Sequence, residues 1–338
     1  MNPLLAGADL VPHFLQVLGL CRVRPGETVL IFTDVGFAHD AYPGAALAAA
    51  RSLGATVYIM MAQSDQDVTD PVLRAAWTHA DVILGMSFLP GSHSWMYSSV
   101  HSAALAANAR VLMVQEPPAV LKRMLPTGEL ARRGLAGARL MDAAREVRLV
   151  TRAGTDLRLR KEGRKGAYQC GVADVPGRWD HWPSGMVYCA PLEDSVEGVL
   201  VVEPGDALLG AWRHAQSEVR IRFEHGYAVE ITGGLDAQHT LEYLRNAGNE
   251  ASFRVAHAGW GTDRRADWRQ VGMDSESYYG GLTIALGRNT FDSPAPYCGL
   301  GGANEAPTHF DICLRRGTAY LDGQLVLEDG EFLLPELQ

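Results

Sequence analysis

The chain has 338 residues, 47% of them hydrophobic and 20% charged, with a formal net charge of −9. This is the composition of an ordinary folded protein long enough for about two cores. The acidic balance excludes a nucleic-acid surface as the main business, and no apolar run approaches the roughly 18 residues of a membrane span.

Met1–Leu10 lacks a basic stretch followed by an apolar one, so no secretory leader is read there. The first 145 residues alternate between strand and helix patterns. Apolar runs of strand length fall at Thr28–Phe32, Thr56–Met61, Val82–Met86 and Val111–Val114. Alanine-rich helical patterns at Tyr42–Leu53, Pro71–His79 and Ser94–Ala107 separate them. Short apolar strands spaced by helices predict a parallel sheet covered on both faces. Neither GxGxxG nor GxxxxGK[ST] follows a strand, so a phosphate-cradling loop is missing.

An alanine- and arginine-rich helix over Glu129–Glu146 ends this α/β domain (1–145). Residues 146–338 read as a mainly antiparallel α+β domain. Val147–Val150 and Leu157–Arg160 suggest a hairpin around Ala153–Asp156. Val199–Val202 is a further strand. Glu218–Phe223 pairs with Tyr227–Thr232, and Ala319–Leu321 with Leu325–Glu328 across Asp322-Gly323. One helix, Asp236–Asn246, intervenes. The basic run Arg158–Lys165 reads as a solvated turn. Five scattered cysteines (Cys21, Cys170, Cys189, Cys298, Cys313) form no CxxC pair and read as reduced thiols of a cytoplasmic chain.

Two segments carry candidate chemistry. In Thr308-His-Phe-Asp-Ile-Cys313, a strand would project His309 and Asp311 to one side and Phe310 and Ile312 to the other. A His and a carboxylate two apart can supply two ligands to one metal, although an isolated HxD also occurs on solvated strands. His257, in Ala256-His-Ala-Gly-Trp-Gly261, offers a third ligand next to two glycines that permit a tight turn. Two histidines and one aspartate suit a facial triad for Fe(II), and zinc accepts the same donors. The second segment, Pro176-Gly-Arg-Trp-Asp-His-Trp-Pro-Ser-Gly185, reads as a rigid aromatic loop. His181 is its candidate acid or base, and Trp179 and Trp182 are candidate pocket walls.

Several collinear motifs resemble the 2,5-dihydroxypyridine 5,6-dioxygenase family. They are Gly177-Arg-Trp-Asp-His-Trp-Pro-Ser-Gly185, Glu193-Asp-Ser-Val-Glu-Gly198, His257-Ala-Gly-Trp-Gly261 and Thr308-His-Phe-Asp-Ile-Cys-Leu-Arg315. Gln115-Glu-Pro-Pro118, Arg123-Met-Leu-Pro-Thr127, Tyr279-Gly280 and Tyr320-Leu-Asp322 extend the likeness over nearly the whole chain. The resemblance implies a cytoplasmic, homo-oligomeric Fe(II) enzyme of nicotinate breakdown. Such an enzyme opens the ring of a small N-heteroaromatic substrate with O2 to give N-formylmaleamate. It implies iron ligands at His257, His309 and Asp311, a catalytic histidine at His181, and substrate contacts at Gln169, Trp179, Trp182 and Tyr279. At Gln169 the family has a glutamate, so the ring substituents stay open.

The chain also resembles, more distantly, the aminopeptidase-T type of leucyl aminopeptidase, which binds two metals. Ala256, Thr283 and Met186 stand where that family supplies further ligands, which leaves one metal. A single-metal aminopeptidase or amidohydrolase is therefore the alternative reading.

Overall fold

The structure is a computed structural model describing residues 3–62, 70–87 and 96–338. The chain folds as two compact units. The first comprises Met1–Thr127, Gln169–Ser184 and Ser293–Cys298. The second comprises Gly128–Tyr168, Gly185–Asp292 and Gly299–Gln338. The expected α/β and α+β architectures are both present. The units divide at Thr127/Gly128, whereas the sequence pattern changes at 145/146.

The first unit begins with helix α1 (Pro3–Leu20), followed by β1 (Thr28–Asp34), α2 (Ala41–Ser52), β2 (Thr56–Ala62), α3 (Pro71–Thr78), β3 (Val82–Met86), α4 (Ser99–Ala106), β4 (Arg110–Met113) and α5 (Pro118–Arg123). The helix expected over Ser94–Ala107 is shorter: it starts at Ser99 behind the N-cap Ser98, Met96 and Tyr97 form a turn, and Ser94 and Trp95 lie outside the described residues. Asp70 starts α3 by accepting the Val72 and Leu73 amides at 2.8 and 3.1 Å, ahead of Pro71 at the first helical position. The chain then enters the second unit as α6 (Gly128–Ala143), β5 (Glu146–Val150), β6 (Asp156–Arg160) and β7 (Ala167–Gln169), whose last residue already belongs to the first unit. It returns to the first as β8 (Trp179–His181).

The first unit's sheet has the order β2-β1-β3-β4-β8, and every described pair in it is parallel. Strands buried on both faces need near-continuous apolar sequence, which β1, β3 and β4 have. Phe14, Val17 and Leu18 of α1 and Ala45, Ala46 and Ala49 of α2 cover one face in a single core with Val29, Ile31, Val82 and Leu84. The segment expected to be a loop around Trp179 instead supplies the fifth strand, with Met113 opposite His181.

The rest of the second unit comprises β9 (Met186–Cys189), β10 (Glu197–Val202), β11 (Ala207–Leu208), β12 (Arg213–His214), β13 (Val219–Glu224), β14 (Tyr227–Gly233), α7 (Leu235–Asn246), β15 (Val255–Gly261), α8 (Met273–Ser277), β16 (Leu282–Gly287), β17 (His309–Leu314), β18 (Thr318–Leu321), β19 (Gln324–Glu328) and β20 (Glu331–Phe332). Two sheets form, in the orders β14-β13-β10-β6-β5-β18-β19-β20 and β12-β11-β17-β16-β15-β9-β7. Val147, Leu149, Leu157 and Leu159 from the first meet Trp260, Ile284, Phe310 and Ile312 from the second in one core. Among the described residues no helix is long and apolar enough to cross a membrane.

Candidate metal centre

Period-two alternation decides which side chains of β17 leave the core. Phe310, Ile312 and Leu314 join the apolar cluster, so His309, Asp311 and Cys313 take the opposite face. The antiparallel register puts Asp311 opposite Ala285 and Ala285 opposite His257. One small residue therefore separates the aspartate from the second histidine across three strands. Gly287 lies opposite His309 on the same face. With Ala285 and Gly287 in the middle strand, the larger groups of the outer strands can lean together over it.

They do converge. His257 Nε2 lies 3.0 Å and His309 Nε2 3.3 Å from the same oxygen, Asp311 Oδ1. One donor atom from each residue falls within 4.8 Å of the others, and all three residues are buried. The imidazoles are 5.1 Å apart at a 30° tilt, and the Tyr188 ring lies 5.6 Å from His257. His309 Nδ1 donates to the Arg288 carbonyl at 2.8 Å, which leaves Nε2 as the atom aimed at Asp311.

Burial opposes ionisation of Asp311, but His309 and His257 beside it hold its carboxyl well below the usual range. Burial also opposes charge on His309, yet the Asp311 carboxylate and the Arg288 carbonyl outweigh it and raise its pKa. For His257 burial prevails over Asp311 and the pKa falls. A buried carboxylate facing two imidazole nitrogens is a site that wants a cation. The N2O donor set fits a divalent transition metal with open positions.

The other expected site residues lie in the first unit, apart from Tyr279. Asp180 is fully buried and accepts the amides of Cys170, Gly171 and His181 at 3.0, 3.1 and 2.8 Å, with Arg178 at 3.2 Å. That carboxylate ties the turn after Gln169 to β8 and so sets Gln169 beside His181. Gln169 Oε1 accepts from Ser184 Oγ at 2.8 Å and lies 3.4 Å from His181 Nδ1. The Trp179 ring meets His181 edge-on at 4.8 Å. Trp182 is a core side chain, 1% exposed, packed edge-on against Phe14 at 5.0 Å. Tyr279, in the second unit, is half-buried beneath the Arg264 guanidinium, which also bonds its hydroxyl at 2.5 Å. Sequence reading missed Asp180 and Ser184. Both stand inside the dense aromatic segment, but nothing in their spacing announces which groups they bond.

A family model for 2,5-dihydroxypyridine 5,6-dioxygenase matches residues 9–334. The chain belongs to this dioxygenase family. A 2,5-dihydroxypyridine 5,6-dioxygenase from Pseudomonas putida KT2440 is 30% identical over 351 residues, spanning 98% of both chains. The solved structure of a 2,5-dihydroxypyridine dioxygenase from that organism superposes with a TM-score of 0.87 at 29% identity. It covers 98% of this chain and 99% of its own. Wild-type AmpT from Thermus thermophilus has a TM-score of 0.61 at 14% identity, covering 96% and 100%. That last likeness is one of fold alone, and it agrees with the distant aminopeptidase-T relation read from the sequence.

Proposed function

We propose that this protein is an Fe(II)-dependent ring-cleaving dioxygenase acting on 2,5-dihydroxypyridine or a close relative, with an N-formylmaleamate-type product. The observation that carries the reading is the convergence of His257, His309 and Asp311 in a chain of this family. Those three residues would hold the metal on one side and leave positions for substrate and O2. When bound, Fe(II) supplies the oxygen chemistry. His181 is the proton-handling group. An N–H on Nδ1, directed at Gln169 Oε1, leaves Nε2 with a lone pair to accept the proton of a ring hydroxyl. Deprotonation makes the ring electron-rich, and the imidazolium can return the proton as the ring opens. Trp179, edge-on to His181, and Tyr279 are the aromatic groups assigned to the substrate, whereas Trp182 is packed in the first unit's core and only backs the segment. The five cysteines are free and buried, which supports a reducing, cytoplasmic setting.

The test is anaerobic reconstitution with Fe(II), followed by a screen of hydroxypyridines for O2 uptake. The reading expects O2 consumption and ring opening in equal amounts. Zinc retention with amide or peptide hydrolysis and no O2 uptake would overturn it in favour of the single-metal hydrolase.

A further inference from the structure

Strand β15 carries a β-bulge immediately before its metal-site histidine. Val255 pairs with Leu286 and His257 with Ala285, so the ladder skips Ala256. The ladder to β9 begins only at Ala258. A bulge frees backbone groups and re-aims the residue that follows, and it holds its shape only if the freed groups find partners. The Ala256 carbonyl finds one in the side chain of Asn289, whose Nδ2 donates to it at 3.3 Å. Asn289 is wholly buried. Its Oδ1 accepts the Asn304 amide at 2.7 Å, and its backbone N–H and C=O bond Asn304 O and Gly302 N at 3.2 and 3.0 Å. Asn304 in turn donates to Ala251 O at 2.8 Å and Gly287 O at 2.6 Å. A Cβ at Gly302 would collide with the Asn289 carboxamide, so the chain is shaped around that side chain.

The residue before Asn289 holds the other histidine. Arg288 O accepts from His309 Nδ1 at 2.8 Å, and Arg288 N donates to Thr308 O at 2.7 Å. His257 has no comparable bond: its Nδ1 is buried with no hydrogen-bond partner among the described residues. Histidine ligands ordinarily have their second nitrogen tied down. Here His257 is held through its backbone instead.

We infer that Asn289 is a positioning residue of the metal centre, fixing His257 through the Ala256 bulge while Arg288 fixes His309. The inference rests on the metal reading above. Asn289→Asp tests it because the oxygen that accepts from Asn304 is kept, while at a pH where the carboxyl is ionised the donor to Ala256 is replaced by an oxygen that repels that carbonyl. The probe is Co(II) alone, titrated into metal-free protein and followed by its visible absorption. The unfolding midpoint of each metal-free protein is measured alongside.

Wild type should bind one Co(II), and His257→Ala should not. Asn289→Asp should fold, bind about 10- to 100-fold more weakly, and show an altered ligand-field spectrum. A folded Asn289→Asp with wild-type affinity and spectrum overturns the inference and leaves the metal reading intact. Wild type that binds no Co(II) overturns both. Should Asn289→Asp fail to fold, Gly302→Ala replaces it. That variant keeps the amide but displaces it, and must show the same loss of affinity and the same spectral change; wild-type behaviour again overturns the inference.

Discussion

One oxygen atom, Gln169 Oε1, faces both Ser184 Oγ and His181 Nδ1. A neutral amide at this place orients the imidazole without adding charge. In Gln169→Glu the carboxylate would favour the imidazolium, so the acid limb of the kcat/KM profile should move to higher pH. The carboxylate would also repel an anionic ring substituent, by about 4 kcal/mol at about 4 Å and an effective dielectric near 20. Comparing kcat/KM for 2,5-dihydroxypyridine and a carboxylated relative in both proteins decides whether Gln169 sets substrate choice. An unchanged ranking means that it does not. His181→Ala should retain metal while turnover falls by about 10²–10⁴. By contrast, His257→Ala, His309→Ala and Asp311→Ala should each lose the metal, as read by elemental analysis. A variant at these three positions with full metal content and turnover would dismiss the site.

At the scale of elements, α7 shows how a buried charge anchors a helix. Asp236, in its first turn, accepts the Gln216 and Ser217 amides at 2.7 Å each and the Ser217 hydroxyl at 3.0 Å, and it pairs with Arg213. Burial works against its ionisation, but those donors together hold its pKa below the usual 3.8. A carboxyl depressed in the folded state stabilises above the unfolded-state pKa and loses that contribution as pH falls through the folded value. Asp236→Asn should therefore cost about 1–3 kcal/mol near neutral pH. The gap between variant and wild-type melting temperatures should close below pH 3.8. A constant gap across that range would show that the charge plays no part.

The elements differ in how far sequence reveals them. The parallel strands β1, β3 and β4 were legible because burial on both faces leaves an unbroken apolar run. Helix α1 was not, since Pro12 sits inside it and argues locally against a helix. Strand β8 was hidden for another reason. It has three residues, and it joins the first unit's sheet from a position beyond residue 145, so only tertiary pairing defines it. The His309/Asp311 pair was readable from period two. The carboxamide of Asn289 on the Ala256 carbonyl was not, because no local pattern predicts a bond across 33 residues to a bulge.

On the scale of the whole molecule, two cores stand in one chain, and every candidate metal ligand belongs to the second. The ligands lie on β15 and β17 with β16 between them, at the centre of the seven-stranded order. Three strands that already share a ladder need little rearrangement to accept a cation. Binding should therefore stabilise those strands rather than order a disordered segment. A ligand that binds only the folded state adds RT ln(1 + [L]/Kd), about 2.7 kcal/mol at 100 times Kd. Amide hydrogen exchange of the metal-free protein, repeated with saturating Co(II), measures where that energy goes. Protection should rise most in Val255–Gly261, Leu282–Gly287 and His309–Leu314. The first unit's β1, β3 and β4 should change least, because none of their residues is a ligand. Chelation should reverse the effect, and Asp311→Ala should abolish it. If protection instead rose uniformly, or centred on the first unit's sheet, the metal would not be held by the residues assigned here.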